Sequence, residues 1–211
     1  MARKKQIDNK QLELLEWAFD TGFYEWYIGS FMHDIGPYVM KRGVLKNLKP
    51  LIKVSSILHN AFGKPRITKP YYRLITSDKK FTVGKPIAVK HIYPIMSWSE
   101  TMDGIVSFAA TASFSLKRYA YVLVSKDTNL QPMFSFQYLR TCETMLNNIG
   151  VDVTLDLGPG NESLLKKQQE VVCYATTPVR CTAFEVPEYN GRNYSTLRSG
   201  TKKLMQKLER T

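Results

Sequence analysis

Cysteine, histidine and long apolar runs are all scarce in this chain of 211 residues. Its three cysteines (Cys142, Cys173 and Cys181) show no C-x-x-C spacing, which argues against a disulfide framework and a zinc ribbon. No run approaches the roughly 20 apolar residues that a membrane helix needs. The basic start is followed by no apolar stretch with a cleavage site, so we do not expect a secretory signal. We expect buried, reduced thiols and synthesis in the cytoplasm.

Acidic residues are nearly missing from one part of the chain. Residues 37–90 contain thirteen Lys and Arg and a single acid, Asp78, so this segment alone carries +12, the formal charge of the whole protein. Residues 190–211 add +5, whereas 1–36 and 91–189 are slightly acidic. A block of one sign creates a local field, which favours an anionic partner.

Within this basic block, residues 64–73 mix cations with two tyrosines and two prolines. Such a segment can lie along a phosphate backbone with its tyrosine rings stacked on bases. No RNA-recognition motif or zinc-finger spacing accompanies it, so contacts should be with backbone charge and not with sequence. An acidic protein surface is the alternative partner, and a merely solvated face is the third interpretation. The candidate anion-binding residues are Lys46, Lys49, Lys53, Lys64, Arg66, Lys69, Tyr71, Tyr72, Arg73, Lys79 and Lys80. Lys117 and Lys166 lie outside the block and are expected not to contribute.

The apolar pattern predicts an α+β fold, with N-terminal helices followed by a mixed sheet with one or two packed helices. Residues 1–189 should form one domain, and 190–211 should form a basic C-terminal arm that becomes ordered on assembly. Helices are predicted near 9–19, from Pro50 to about 61, and at 136–146, 162–169 and 202–208. Strands are predicted at 72–76, 81–83, 87–93, twice within 105–125, and at 151–157, 170–175 and 181–186.

Aromatic residues cover nearly all sides of residues 23–28, which is typical of a buried element or an interface. The C-terminal arm combines cations with apolar residues, so it too could dock on a neighbour. The expected interface residues are Trp17, Phe23, Trp26, Tyr27, Arg198, Lys202 and Lys203.

Catalytic patterns are fragmentary. His33-Asp34-Ile35-Gly36 resembles the H-D-I-G tetrapeptide of HD-domain metal-dependent phosphohydrolases, in which an earlier His, this His-Asp pair and a later Asp hold the metals. No His precedes His33, so that ligand set is incomplete in this chain. Asp152, Asp156 and Glu162 loosely match the clustered carboxylates with which nucleases bind Mg²⁺. A strand at 151–157 would, however, hold its two aspartates about 13 Å apart.

These patterns favour a non-enzymatic structural subunit of a large nucleoprotein assembly, without metal, cofactor or membrane contact. The expected setting is a tailed-phage virion, at a neck, connector or tail-joining position in an oligomeric assembly. The first alternative is a Mg²⁺-dependent nuclease that uses Asp152, Asp156 and Glu162. The second is a small regulatory protein that binds a nucleic-acid enzyme.

Overall fold

Helices begin and end the chain, and a sheet lies between them in sequence, as predicted for an α+β fold. A computed structural model describes residues 7–25, 37–89, 95–111, 116–158, 160–191 and 193–210, with side chains at all of these positions except 37–48 and 161. The helices in these residues are α1 (Asn9–Trp17), a π-helical turn (Ala18–Gly22), α2 (Pro37–Phe62), α3 (Met102–Thr111), α4 (Phe136–Asn148), α5 (Asn161–Gln168) and α6 (Tyr194–Glu209). The strands are β1 (Tyr71–Ser77), β2 (Pro86–Val89), β3 (Ile95–Ser99), β4 (Tyr119–Ser125), β5 (Gln131–Ser135), β6 (Glu170–Tyr174) and β7 (Val179–Glu185).

The seven strands form one antiparallel sheet in the order β2-β7-β4-β1-β3-β6-β5. Apolar residues on both faces of 119–124 predict a central strand, and β4 does lie between β7 and β1. β1 and β4 pair over their whole length, from Tyr71 opposite Ser125 to Ser77 opposite Tyr119. The end of β1 and the start of β4 therefore lie side by side at one end of the sheet. The end of β3 and the start of β6 lie at the opposite end, because Ser99 is opposite both Tyr72 and Glu170.

The chain divides into two compact units. Unit 1 contains residues 1–66 and 133–163, and unit 2 contains residues 67–132 and 164–211. The predicted arm 190–211 contains α6, which contacts α3 within unit 2. Leu197, Leu204 and Met205 of α6 are buried in a cluster with side chains from one sheet face, so this segment packs within its own molecule.

Unit 1 is built around aromatic and aliphatic side chains from its helices. The Phe23 ring lies edge-on to Phe19 and Phe134, with centroids 5.4 and 5.0 Å apart. Leu51 and Leu58 of α2 are fully buried, as their helical spacing predicts. α2 contacts both α1 and α4. Burial of these rings and aliphatic chains supplies most of the driving force for folding this unit.

Residues 151–157 are not a strand, although their buried and exposed side chains alternate as predicted. Side chains of α4 satisfy the backbone in place of a neighbouring strand. Asn147 exchanges two hydrogen bonds with the backbone of Val153, and the Glu143 carboxylate accepts from the Leu155 N–H. The strand predicted at 151–157 is therefore replaced by an irregular segment held against α4.

Three further boundaries differ from the predictions. Residues 105–111 belong to α3, whose first turn is capped because the Gly104 N–H donates to the Thr101 hydroxyl. Residues 81–82 are irregular and lead into a turn at 83–84, and the Phe81 N–H donates to the Tyr121 hydroxyl. α2 runs through Pro50, which removes one backbone donor from the helix without ending it.

Candidate anion-binding site

Four predicted anion-binding residues of unit 1 are exposed. Lys49 and Lys53 are about one turn apart on α2 and lie on the same exposed face of this helix, together with two polar residues. Lys64 and Arg66 follow the end of α2 and are also exposed. The side chain of Lys46 lies outside the described residues. The role of these cations in binding stays a prediction.

Lys69 and Arg73, by contrast, are engaged inside unit 2. The Lys69 ammonium donates to the backbone carbonyl of Asp127. Arg73 is half-buried, and its guanidinium donates to the carbonyl of Ser97, whose hydroxyl donates to the buried carboxyl group of Glu170. Burial lowers the pKa of Arg73, and the nearby Glu170 opposes that shift. Neither cation is presented to an external anion.

Tyr71 and Tyr72 also differ from their predicted role as stacking platforms. They are only 1% and 6% exposed, and as neighbours in β1 they point to opposite faces of the sheet. Each ring belongs to a different apolar cluster. Burial raises the pKa of Tyr71 to about 12. The β-strand period thus places both rings in the core, where they cannot reach a base.

Four exposed cations meet at the end of the sheet where β1 stops and β4 starts. Lys79 and Lys80 follow β1, and Lys117 and Arg118 precede β4. The register that places Ser77 opposite Tyr119 brings the two segments together, and neighbouring strands are about 4.8 Å apart. We call these four residues the sheet-end cluster. Its concentrated charge can hold an anion without any catalytic chemistry.

Local hydrogen bonds fix the backbone beneath the sheet-end cluster. The Lys79 N–H donates to the Ser77 hydroxyl at 3.0 Å, which shapes the turn after β1. On the other segment, the Tyr189 hydroxyl donates to the Lys117 carbonyl at 2.6 Å. Hydrogen bonds therefore hold the backbone that carries the four cationic side chains.

Carboxylates near the sheet-end cluster only partly offset its charge. Asp78 approaches Lys117 at 3.9 Å between Oδ2 and Nζ, with both side chains at least half exposed. Such a surface pair contributes little free energy, about 0–1 kcal/mol, so an incoming phosphate can replace the carboxylate. Glu188 is paired with Lys203 of α6 at 2.6 Å. Glu185 is half-buried at the end of β7.

Sequence reasoning missed Lys117 and Arg118, because they lie outside the basic block. Only the antiparallel pairing of β1 with β4 brings them beside Lys79 and Lys80. The prediction that Lys117 would not contribute to anion binding stays untested, and its position beside Lys79 and Lys80 gives a reason to test it. Lys166 lies in α5, which leads into β6 at the opposite end of the sheet, so it remains a suitable comparison.

The predicted interface residues have different environments. Phe23 is fully buried in unit 1, so it contributes to the core and not to a surface. Trp17 is half-buried, with its indole ring over Gly22. Trp26 and Tyr27 lie outside the described residues. Arg198 and Lys202 are exposed on the outer side of α6, as is Lys203, so their interface role stays a prediction.

The carboxylates of the nuclease alternative have local structural partners. Asp156 accepts from the Gly158 N–H at 2.7 Å, and Glu162 is paired with Arg140 at 2.9 Å. Asp152 is exposed. Within the described ranges, no group of three or more His, Cys, Asp or Glu side chains could hold a metal ion. The His33–Gly36 tetrapeptide lies outside those ranges.

No helix in the part of the chain that the structure describes is long and apolar enough to span a membrane. Comparison with protein-family models, curated proteins and solved structures found no match. Fold and surface together define an α+β protein with a seven-stranded antiparallel sheet and a cationic cluster at one sheet end.

Proposed function

We propose that this protein is a non-enzymatic subunit of a large nucleoprotein assembly and contacts a nucleic-acid backbone through the sheet-end cluster. The observation that carries the proposal is the meeting of Lys79 and Lys80 with Lys117 and Arg118 on one exposed sheet end. Two segments far apart in sequence thereby form one patch of concentrated positive charge. Lysine and arginine on such a patch bind phosphates mainly by releasing condensed counterions.

In the proposed mechanism, an anionic chain binds to a surface that is already formed, and no chemical reaction follows. The field of the cluster steers the polyanion, and a phosphate then replaces Asp78 as the partner of Lys117. Lys49, Lys53, Lys64 and Arg66 of unit 1 offer a second set of exposed cations. Several weak contacts held in one assembly give a high combined affinity without a strong individual site.

The proposed setting is a tailed-phage virion, at a neck, connector or tail-joining position. This setting is supported only by the general character of the chain. The composition is that of a globular protein, 12% of the residues are aromatic, and the cations are concentrated in one block. A structural subunit should be present in a fixed copy number in purified particles. Quantitative mass spectrometry of native particles tests this directly, and recovery of the chain only with one free cellular enzyme would favour the regulatory alternative.

Reversing the sheet-end cluster to Glu (Lys79, Lys80, Lys117 and Arg118) should weaken binding of a 20-base-pair duplex about a hundredfold at 100 mM NaCl. Wild-type protein should lose affinity steeply with salt, with a slope of log K against log salt of about −3.6 for four phosphate contacts. Fluorescence anisotropy across a salt series measures both quantities. Thermal unfolding verifies that the variant is folded.

The matched control reverses three lysines and one arginine at the opposite end of the sheet, so its net charge changes by the same amount. All four are exposed: Lys126, Lys166, Lys167 and Arg180. The control should lose only the small affinity that follows from overall charge. Equal loss in both variants would refute a localised site, and Mg²⁺-dependent degradation of the duplex by the wild type would support the nuclease alternative.

Replacing Asp78 by asparagine should raise duplex affinity about threefold, because it frees Lys117 and removes one negative charge from the site. Stability should change by less than about 0.5 kcal/mol, since the pair is exposed. Asp103→Asn is the control, because Asp103 is an exposed acid in the first turn of α3, near the opposite end of the sheet. An unchanged affinity in Asp78→Asn would show that Asp78 does not compete with the bound anion.

A further inference from the structure

We infer that the sheet-end cluster binds the backbone of duplex nucleic acid and does not bind unstacked single strands through their bases. This inference rests on the proposed function and names the form of nucleic acid that the surface fits. It is carried by the aromatic residues that the structure describes around the cluster (Tyr119, Phe81 and Tyr189), each of which is engaged within unit 2.

Among the described residues, Tyr119 directly follows the cluster in sequence, and its half-buried ring already has partners within unit 2. The Arg118 guanidinium lies over it at 5.3 Å from the ring centroid. Its centroid is also 6.4 Å from that of Tyr121, which is fully buried. A base that stacked on Tyr119 would have to displace a cation–π contact of about 0.5–1 kcal/mol. The arginine in that contact, Arg118, is also one of the four cations proposed to bind phosphate.

Phe81 and Tyr189, two further aromatic residues in the described part of this sheet end, also have partners within unit 2. Phe81 packs against Tyr121 with ring centroids 4.9 Å apart, and its N–H donates to the Tyr121 hydroxyl. Tyr189 is fixed by its bond to the Lys117 carbonyl and packs against the cluster of side chains under α3 and α6. Among the described residues at this sheet end, the aromatic rings therefore support the protein and are not arranged as a base platform.

Single-strand binding proteins combine a basic groove with aromatic platforms, and each stacked base contributes about 1–3 kcal/mol. Without that contribution, affinity depends on charge density. Duplex DNA presents one charge per roughly 1.7 Å of axis and releases more counterions per contact than a single strand. A compact group of cations without stacking rings should therefore prefer the duplex.

The shape of the site also argues against sequence reading. The cluster lies on the irregular segments that directly follow β1 and precede β4, which are paired strands. Reading base edges requires an element such as a helix or a two-stranded ribbon inserted in the major groove. Contacts from the sheet end should instead be made to phosphate oxygens, which carry no sequence information.

The test compares a 20-base-pair duplex, a 20-nucleotide oligo-dT strand and poly-glutamate as probes for the full chain at 100 mM NaCl. We expect the duplex to bind about five- to tenfold more tightly than oligo-dT, with equal affinity for AT-rich and GC-rich duplexes. Tyr119→Leu and Phe81→Leu, each verified as folded by circular dichroism, should leave this ratio unchanged.

Each other outcome is distinct. Tighter binding of oligo-dT that either leucine variant weakens would overturn the duplex inference while leaving the nucleic-acid function intact. A strong preference for AT-rich or GC-rich duplex would also overturn it. Tighter binding of poly-glutamate than of both nucleic acids, or no binding of either nucleic acid, would defeat the proposed function itself.

Discussion

Gly200→Ala should lower the free energy of unfolding by about 3 kcal/mol, because there is no space for a side chain where α6 meets the sheet. A Cβ atom at Gly200 would overlap the carbonyl oxygen of Pro187 and lie 2.7 Å from Cγ1 of Val186. The first neighbour is backbone and cannot rotate away, so α6 must shift and loosen the packing of Leu197 and Leu204. Alanine favours a helix over glycine by about 1 kcal/mol, which offsets only part of this cost.

Chemical denaturation of the purified chain measures the effect, and Ser199→Ala is the matched control. Ser199 precedes Gly200 in α6 but is exposed, so its replacement should change stability by less than about 0.5 kcal/mol. Gly104→Ala should behave like Gly200→Ala, because its Cβ would overlap the Ser99 hydroxyl and the Gln168 carbonyl. A stable Gly200→Ala protein would mean that α6 is free to move away from the sheet.

Sequence patterns predicted an element correctly where the spacing of its apolar side chains and the hydrogen bonding of its backbone indicate the same secondary structure. The helix at α4 and the strands β6 and β7 follow their apolar periods closely. Residues 151–157 have a strand period, but the amide of Asn147 and the carboxylate of Glu143 occupy the positions of a neighbouring strand. The alternation therefore predicted burial correctly and hydrogen bonding wrongly. Residues 105–111 contain β-branched and aromatic residues, which are typical of a strand. They are helical because the helix begins at the cap that Thr101 provides.

The candidate site was predictable only in part, since the position of a charged residue in the sequence does not tell which way its side chain points in the folded protein. Lys79 and Lys80 are exposed as a polar turn requires, whereas Arg73 points inward because it shares a sheet face with Tyr71, and an apolar cluster covers that face. Lys117 and Arg118 join the site through strand register, a long-range property that no local window contains.

Arg73 and Glu170 form a buried polar network whose stability should depend on pH. Glu170 is buried and Arg73 is half-buried in unit 2. Ser97 links them, since its carbonyl accepts from Arg73 and its hydroxyl donates to Glu170. Burial raises the pKa of Glu170 to about 7 from an ordinary value of 4.5, although the Ser97 hydroxyl and the charge of Arg73 oppose the shift. The folded protein therefore holds this proton more tightly than the unfolded chain does.

The sign of the pH effect follows from that proton. Between about pH 4.5 and 7 the folded state binds more protons at Glu170 than the unfolded state, so its contribution to stability falls as pH rises. The full difference in pKa corresponds to roughly 3 kcal/mol. The half-buried Glu100 acts in the same direction, because burial raises its pKa. Burial lowers the pKa of His59, which acts in the opposite direction below about pH 6.5.

Glu170→Gln isolates the contribution of Glu170, because glutamine keeps an oxygen that accepts from Ser97 but does not titrate. Relative to wild type, this variant should gain roughly 3 kcal/mol in its free energy of unfolding between pH 4.5 and pH 8, as measured by urea denaturation at each pH. Arg73→Met should steepen the wild-type fall, because removing the guanidinium raises the pKa of Glu170 further. The double variant should have the same pH dependence as Glu170→Gln alone. Without the carboxylate of Glu170, the loss of Arg73 has no pKa at that position to change. Parallel stability curves for wild type and Glu170→Gln would show that this carboxylate stays ionised and that Arg73 and Ser97 fully compensate its burial.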